Sequence, residues 1–301
     1  LRIGVSASAV SLLRVGRWGG PAVALVAERD VAAPFDDGGA GDLWKAIAVA
    51  VHQLLAEHAF AGWPVSFIVA DDLARLWQVT PPPGVGSLAD LEAAAALRFL
   101  SLYGETPQAW SVKADWDSRA PFFAAAVPAP LLAALEQVAA AAQLAVVETV
   151  PYFIDAWNRW SGALKATAWY GLVHDNLLTI GAVQDRQLRA VRVLPMPMLQ
   201  LQADDGTDDT ANGMAWLVQA LAREALLLDL ALPAQLQLCG QVPPAWSRPV
   251  SAAVADSLQV GVLDLSQRAA LAGASAASAA ATAITSIISP AVALALCGSR
   301  A

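Results

Sequence analysis

The chain has 301 residues, of which 57% are apolar and 15% charged, with a net charge of −8. That length exceeds what one ordinary core serves, so two lobes are expected, and the apolar fraction excludes disorder. The acidic balance and the lack of a basic run exclude a nucleic-acid footprint, because nothing is placed to neutralise phosphates. Cys239 and Cys297 lie far apart, with no C-x-x-C and no histidine at ligand spacing, which excludes a disulfide framework or structural zinc site and fits a reducing compartment.

In chain order, the spacing predicts a strand at about 1–5, a small-residue turn, a strand at 9–15, a tight RWGG connection and a strand at 22–28. Asp42 is a good N-cap for a helix carrying Leu43, Ile47, Val51, Leu54 and Leu55 on one face. VSFIVA (65–70) is a continuous apolar run of the kind found in a sheet covered on both faces. PPPGVG (81–86) then breaks the chain.

A small α/β insert is expected over about 84–150. It comprises a helix at 88–102, strands at 109–115 and 122–127, a helix at 130–142 and a strand at 144–149. PYFIDAWNRW (151–160) reads as a helix leading back into the first lobe, taken as residues 1–160. The pattern restarts in the second lobe, taken as 161–301, with strands at 166–173, 177–183 and 188–194, a helix at about 210–230 and the strand QLQLCG at 235–240. Three meandering strands, a helix and a further strand therefore occur twice, an architectural duplication far too long in period for a solenoid.

Ala269 to Ser299 holds no charged side chain and exceeds the ~20 residues needed to cross a bilayer. Its Ala, Ser, Gly and Thr content and the break at Pro290 favour closely packed buried helix over Ala269–Cys297 within the second lobe. No basic run followed by an apolar core opens the chain, so no signal peptide is expected.

Several motifs dissolve on inspection. GVGSLA (84–89) has the letters of a dinucleotide fingerprint, but three prolines stand where its strand belongs, so it reads as a loop ahead of a helix. His52 and His58 miss the i, i+4 spacing of a zinc pair. ADDGTDDT (203–210) lacks the ligand order of a calcium loop and reads as a solvated loop and helix cap. Of 11 tryptophans, Trp63, Trp110, Trp157 and Trp160 sit at element ends, where indole completes a core. No G-x-S-x-G, H-E-x-x-H or P-loop motif occurs.

The stretch IGVSASAVSL (3–12) is a strand, turn and strand like the opening of several phosphate-binding loops, yet it has no acid or lysine. With WYGLVHDNLLTIGAV (169–183), LCGQVPP (238–244) and ALALCGSR (293–300), it forms four landmarks in an order that resembles the actin-like ATPase superfamily. Within that superfamily the chain looks like a divergent member of the PilM family of type IV pilus assembly proteins and the related cytoplasmic region of GspL. The resemblance implies an actin-like, ribonuclease H-like duplicated two-lobe α/β fold with a small insert in the first lobe. The family's first strand reads like I-D-I-G-S-S-S-V-K-L. Against it Gly4 replaces the aspartate, Ser6 the glycine and Ser11 the basic residue, while Ala7 and Ser8 keep the turn small. Gly171 matches the second phosphate strand and Gly240 the adenosine-side turn.

Phosphoryl transfer depends on positioning and charge neutralisation by metal, basic groups and backbone amides, and the residues that would orient the metal are replaced. The expected function is therefore a non-catalytic scaffold of a type IV pilus or type II secretion platform, with no cofactor. The alternatives are a weak Mg-ATP-binding member using acids such as Asp175 or Asp185, or a sugar-kinase-like enzyme. The resemblance implies a cytoplasmic location, peripheral at the inner membrane. It also implies a PilN-like partner, a single-span protein whose cytoplasmic N-terminal segment docks between the first-lobe sheet and the insert.

Overall fold

The structure, a computed structural model, describes residues 1–16, 23–32, 40–185, 187–197, 207–243, 246, 258–263 and 294–295. The chain divides into one unit of Leu1–Asn158 with Ser289–Ala301 and another of Arg159–Ile288.

In the first unit β1 (Arg2–Val5) pairs antiparallel with β2 (Ala9–Val15), and β2 antiparallel with β3 (Val23–Asp30). On its other side β1 runs parallel to β4 (Pro64–Val69), and β4 parallel to β8 (Ala145–Pro151), giving the order β3-β2-β1-β4-β8. Alternation sends Ile3, Val5, Val10, Leu12, Val65, Phe67 and Val69 to one core. Helix α1 (Ala40–Ala56) closes that core with Ile47, Val51, Leu54 and Leu55, the stripe predicted from its spacing. Leu131, Leu135 and Ala139 of α3 (Ala129–Ala141) complete it. Each large side chain so buried stabilises the unit by about 1.5–3 kcal/mol.

Between β4 and α3 the chain makes a separate three-stranded antiparallel sheet, β5-β7-β6, from β5 (Arg75–Val79), β6 (Trp110–Ala114) and β7 (Phe122–Pro128). Helix α2 (Leu88–Tyr103) packs on it through Leu91, Ala95 and Phe99, with Trp77 and Phe99 meeting edge to face at 5.1 Å. Arg75 lies over the rings of Tyr103 and Trp110 and pairs with Glu105 at 2.9 Å. This insert differs from the one expected at 84–150. It starts earlier, with a strand at 75–79 that sequence spacing missed, and it ends at β7. Helix α3 and β8 return to the main core because Leu131, Leu135 and Leu144 are buried there.

Helix α4 (Tyr152–Trp160) follows β8 and leads to the second unit. There the order is β11-β10-β9-β12-β13, made by β9 (Ala168–His174), β10 (Leu177–Gln184), β11 (Gln187–Pro195), β12 (Gln235–Gly240) and β13 (Gln259–Val262). Strand senses match the first unit: β9–β10 and β10–β11 are antiparallel, β9–β12 and β12–β13 parallel. Helix α5 (Thr207–Leu227) buries Met214, Leu217 and Leu221 against Trp169, Ile180 and Leu238, with Trp246 stacked on Trp216.

The second lobe was expected to run to residue 301. Leu294 and Ala295, helical and fully buried, instead belong to the first unit, where Arg2 Nε donates to the Ala295 carbonyl at 2.8 Å. Arg2 also pairs with Asp155 at 2.5 Å, which secures α4. The rest of the expected 269–297 helix, and 203–206 of the acidic cluster, lie outside the described residues.

Candidate functional site

The β1–β2 hairpin carries five of the seven candidate residues. Gly4 is buried in β1 opposite Ser11 of β2 and Ile68 of β4, and Ser11 is itself fully buried. Ser6 is buried and spends its polar groups within the turn. Its backbone N–H and its hydroxyl both donate to the Ala9 carbonyl, at 3.0 and 2.9 Å, and its Oγ accepts the Ala9 N–H at 3.0 Å. Ser8 Oγ lies 3.2 Å from Ser6 Oγ, and the Ser8 carbonyl accepts the Val31 N–H at 2.8 Å. Ala7 is half-buried and Ser8 exposed, so only the tip of the turn faces water.

One acid close to this turn was missed by sequence reasoning. Asp71 follows Ala70, whose N–H donates to the Val5 carbonyl, so it stands beside the end of β1. Asp71 is buried, and its Oδ1 accepts the N–H of Phe153 at 2.9 Å, at the start of α4. A carboxylate there complements the positive end of a helix. The signal was the pair of acids directly after the buried run VSFIVA.

Gly171 and Gly240 lie together on the β9–β12 seam of the second unit. A Cβ on Gly171 would stand 2.4 Å from Leu238 Cδ2, so glycine lets the two strands seat Leu238. Gly240 has φ +85°, and a Cβ there would lie 2.1 Å from the Val173 carbonyl oxygen. That carbonyl accepts the N–H of Gln241 at 2.9 Å, and Gln241 Oε1 accepts the N–H of Asp175 at 3.2 Å, tying the β9–β10 turn to the end of β12. Asp175 and Asp185 both adopt left-handed backbone, with φ of 52° and 53°, in tight hairpin turns where Asp is favoured. Beside the first turn, His174 is buried, and burial pushes its pKa down to about 4.

Within each unit the candidate residues are thus adjacent, but they do not assemble a carboxylate set for a magnesium-bound phosphate. Among the described residues no three His, Cys, Asp or Glu side chains cluster at metal-binding distance. Ser87 instead caps α2, accepting the Asp90 N–H at 3.2 Å, which accounts for the SLAD half of the false dinucleotide motif. No helix among the described residues is long and apolar enough to cross a membrane.

Two sheets of identical strand order and sense, with an insert after the fourth strand of the first, decide the architecture. The fold is that of the actin-like ATPases. A chain of the PilM–PilN type IV pilus biogenesis complex superposes with a TM-score of 0.64 at 16% identity, over 100% of this chain and 99% of that one. A Bacteroides thetaiotaomicron protein of actin-like ATPase fold and unknown function gives 0.57 at 12% identity, over 90% and 95% of the two chains. The cytoplasmic domain of EpsL, an inner-membrane component of the Vibrio cholerae type II secretion system, gives 0.50 at 12% identity, over 88% and 85%. No protein-family model matches the chain, and no curated protein matches it in sequence. The actin-like fold is therefore recognisable in three dimensions at identities where sequence comparison falls silent.

Proposed function

We propose that this chain is a non-catalytic actin-like scaffold of a type IV pilus or type II secretion platform. Its role is to dock the cytoplasmic segment of a PilN-like membrane protein, from the cytoplasmic side of the inner membrane. The observation that carries the reading is end-to-end similarity to a chain of the PilM–PilN complex, joined to a first turn whose serines satisfy one another. Similarity to the EpsL cytoplasmic domain supports the same class of machine. A phosphate-binding turn must present free donors, and in this one the Ser6 N–H and hydroxyl are both spent on the Ala9 carbonyl.

The test has two arms. The purified chain is incubated with Mg-ATP and phosphate release is followed; no release above buffer is expected, and turnover would overturn the non-catalytic assignment. A peptide of the N-terminal cytoplasmic segment of a PilN-like protein from the same organism is titrated calorimetrically into the full chain. Saturable binding is expected, of the modest affinity that ordering a flexible segment imposes. Its absence would overturn the docking role.

A further inference from the structure

The end of α5 presents more apolar surface than the second core takes up. Leu228 and Leu230 turn inward and pack on that core, but Leu226 is 83% exposed, Leu227 68% and Leu232 43%, with Ala222 and Ala231 also exposed. The backbone holds this shape: the Leu230 N–H donates to the Ala225 carbonyl at 2.9 Å, and Asp229 reverses the chain at φ 53°. The leucines therefore project from a fixed cap. Helix periodicity puts Leu226 and Leu227 on the side of Arg223, three and four positions earlier, whose side chain is 61% exposed.

Cations flank the cap. Arg223 and Arg192 of β11 both pair with Glu224, at 3.1 and 3.6 Å, and Glu224 is buried, so two guanidinium groups share one carboxylate. Strands β9 and β12 run parallel and begin at this end of the sheet, with Ala168 opposite Gln235, which brings the exposed Lys165 to it. Arg189 lies at the bulge of β11, next to the β10–β11 turn at the same end. Against these stand the exposed acids Asp185 and Asp229. The turns of Asp175 and Gly240 lie at the opposite ends of β9 and β12.

We infer that this leucine cap seats in the surface of an anionic bilayer, with Leu226, Leu227 and Leu232 below the headgroups and Arg223 at the lipid phosphates, supported by Lys165 and Arg192. Leucine beside arginine suits that boundary, because the long arginine stem lies along apolar surface while its guanidinium stays with the phosphates. A stable protein interface covers about 800 Å² on each partner, more than a few projecting leucines supply, and a second copy would set arginine against arginine. A fluid surface takes up a protruding cap without a complementary shape. The contact belongs to the second unit, so it stands or falls separately from the docking role. So few leucines make it reversible, and each arginine near an anionic surface contributes about fivefold in affinity.

The experiment is sedimentation of the full chain with vesicles of phosphatidylglycerol and phosphatidylcholine in equal parts, and with vesicles of phosphatidylcholine alone. Binding to the first and little to the second is expected. Leu226→Ser with Leu227→Ser should weaken it roughly tenfold or more, and Arg223→Gln about fivefold. Asp229→Asn, which keeps a residue that tolerates the left-handed cap, should strengthen it. Unchanged melting shows that each variant folds, and the Arg223→Gln and Asp229→Asn arms carry the test if the serine pair melts lower. No binding of the unaltered chain, equal binding to both vesicles, or binding that none of the variants alters overturns the inference. Sedimentation of the unaltered chain as a dimer that the serine pair dissociates puts a second copy on the cap and overturns it as well.

Discussion

The two units share a strand plan and use it differently. In each, a central strand places a glycine opposite a large apolar residue of its parallel neighbour, Gly4 with Ile68 and Gly171 with Leu238. In the first unit the turn beyond that strand is closed by serine hydroxyls. In the second it is a two-residue hairpin braced from β12 by Gln241. The same topological position therefore tolerates two unrelated ways of satisfying its polar groups. In the second unit the glycine answers a packing demand, since a Cβ on Gly171 would meet Leu238.

If packing explains the second unit's glycines, Gly240→Ala gives the largest loss. It forces an L residue into left-handed backbone against a carbonyl oxygen 2.1 Å away, and should lower stability by more than about 3 kcal/mol in denaturant unfolding. Little change would mean that the β9–β12 seam is slack. The first unit has its own fixed point in Arg2 and Asp155, whose side chains are only 11% and 10% exposed. Arg2→Met takes the guanidinium from a nearly buried carboxylate and should cost about 3 kcal/mol, whereas changing both partners to apolar residues should recover part of it.

The third outcome depends on pH and belongs to the second unit alone. His174 is held neutral in the folded state with a pKa of about 4, below its ordinary 6.5, so the unfolded chain binds the extra proton first. Its contribution is fully present above about pH 6.5 and is lost as pH falls towards 4, by up to about 3 kcal/mol. His174→Leu should flatten that part of the stability profile, and an unchanged slope would show that another group causes it. Gly171→Ala should cost less, about 1–2 kcal/mol, since the atom it meets is the mobile end of Leu238. The smallest expected effect is none: millimolar Mg-ATP should leave the melting temperature unmoved, whereas a ligand at 100 times its Kd would add about 2.7 kcal/mol.

The duplication was legible because apolar periodicity and turn residues recur in the same order, and α1 could be read face by face from Leu43 to Leu55. Pairing was not. Nothing in RLWQV (75–79) says that it joins β7 in a separate sheet, and nothing in AVVETV says that it joins β4, since periodicity reports which face is apolar and not which strand lies alongside. Gly171 and Gly240 could be singled out as glycines, yet the reason for each, a neighbouring Leu238 and a Val173 carbonyl, comes from strands distant in sequence. Asp71 escaped notice because its partner, the Phe153 N–H, lies 82 residues on.

The bond from Arg2 to the Ala295 carbonyl spans 293 positions of the chain. A ribosome adding about 5–20 residues per second would need roughly 15–60 s to supply that acceptor after Arg2 is made. The opening strand must therefore wait for residue 295 before one of its guanidinium contacts exists, and the intervening unit can fold in the interim. Maturation of the first unit is thus tied to synthesis of residues beyond the second, so that chains released before residue 295 would carry an unfinished first body and a finished second one.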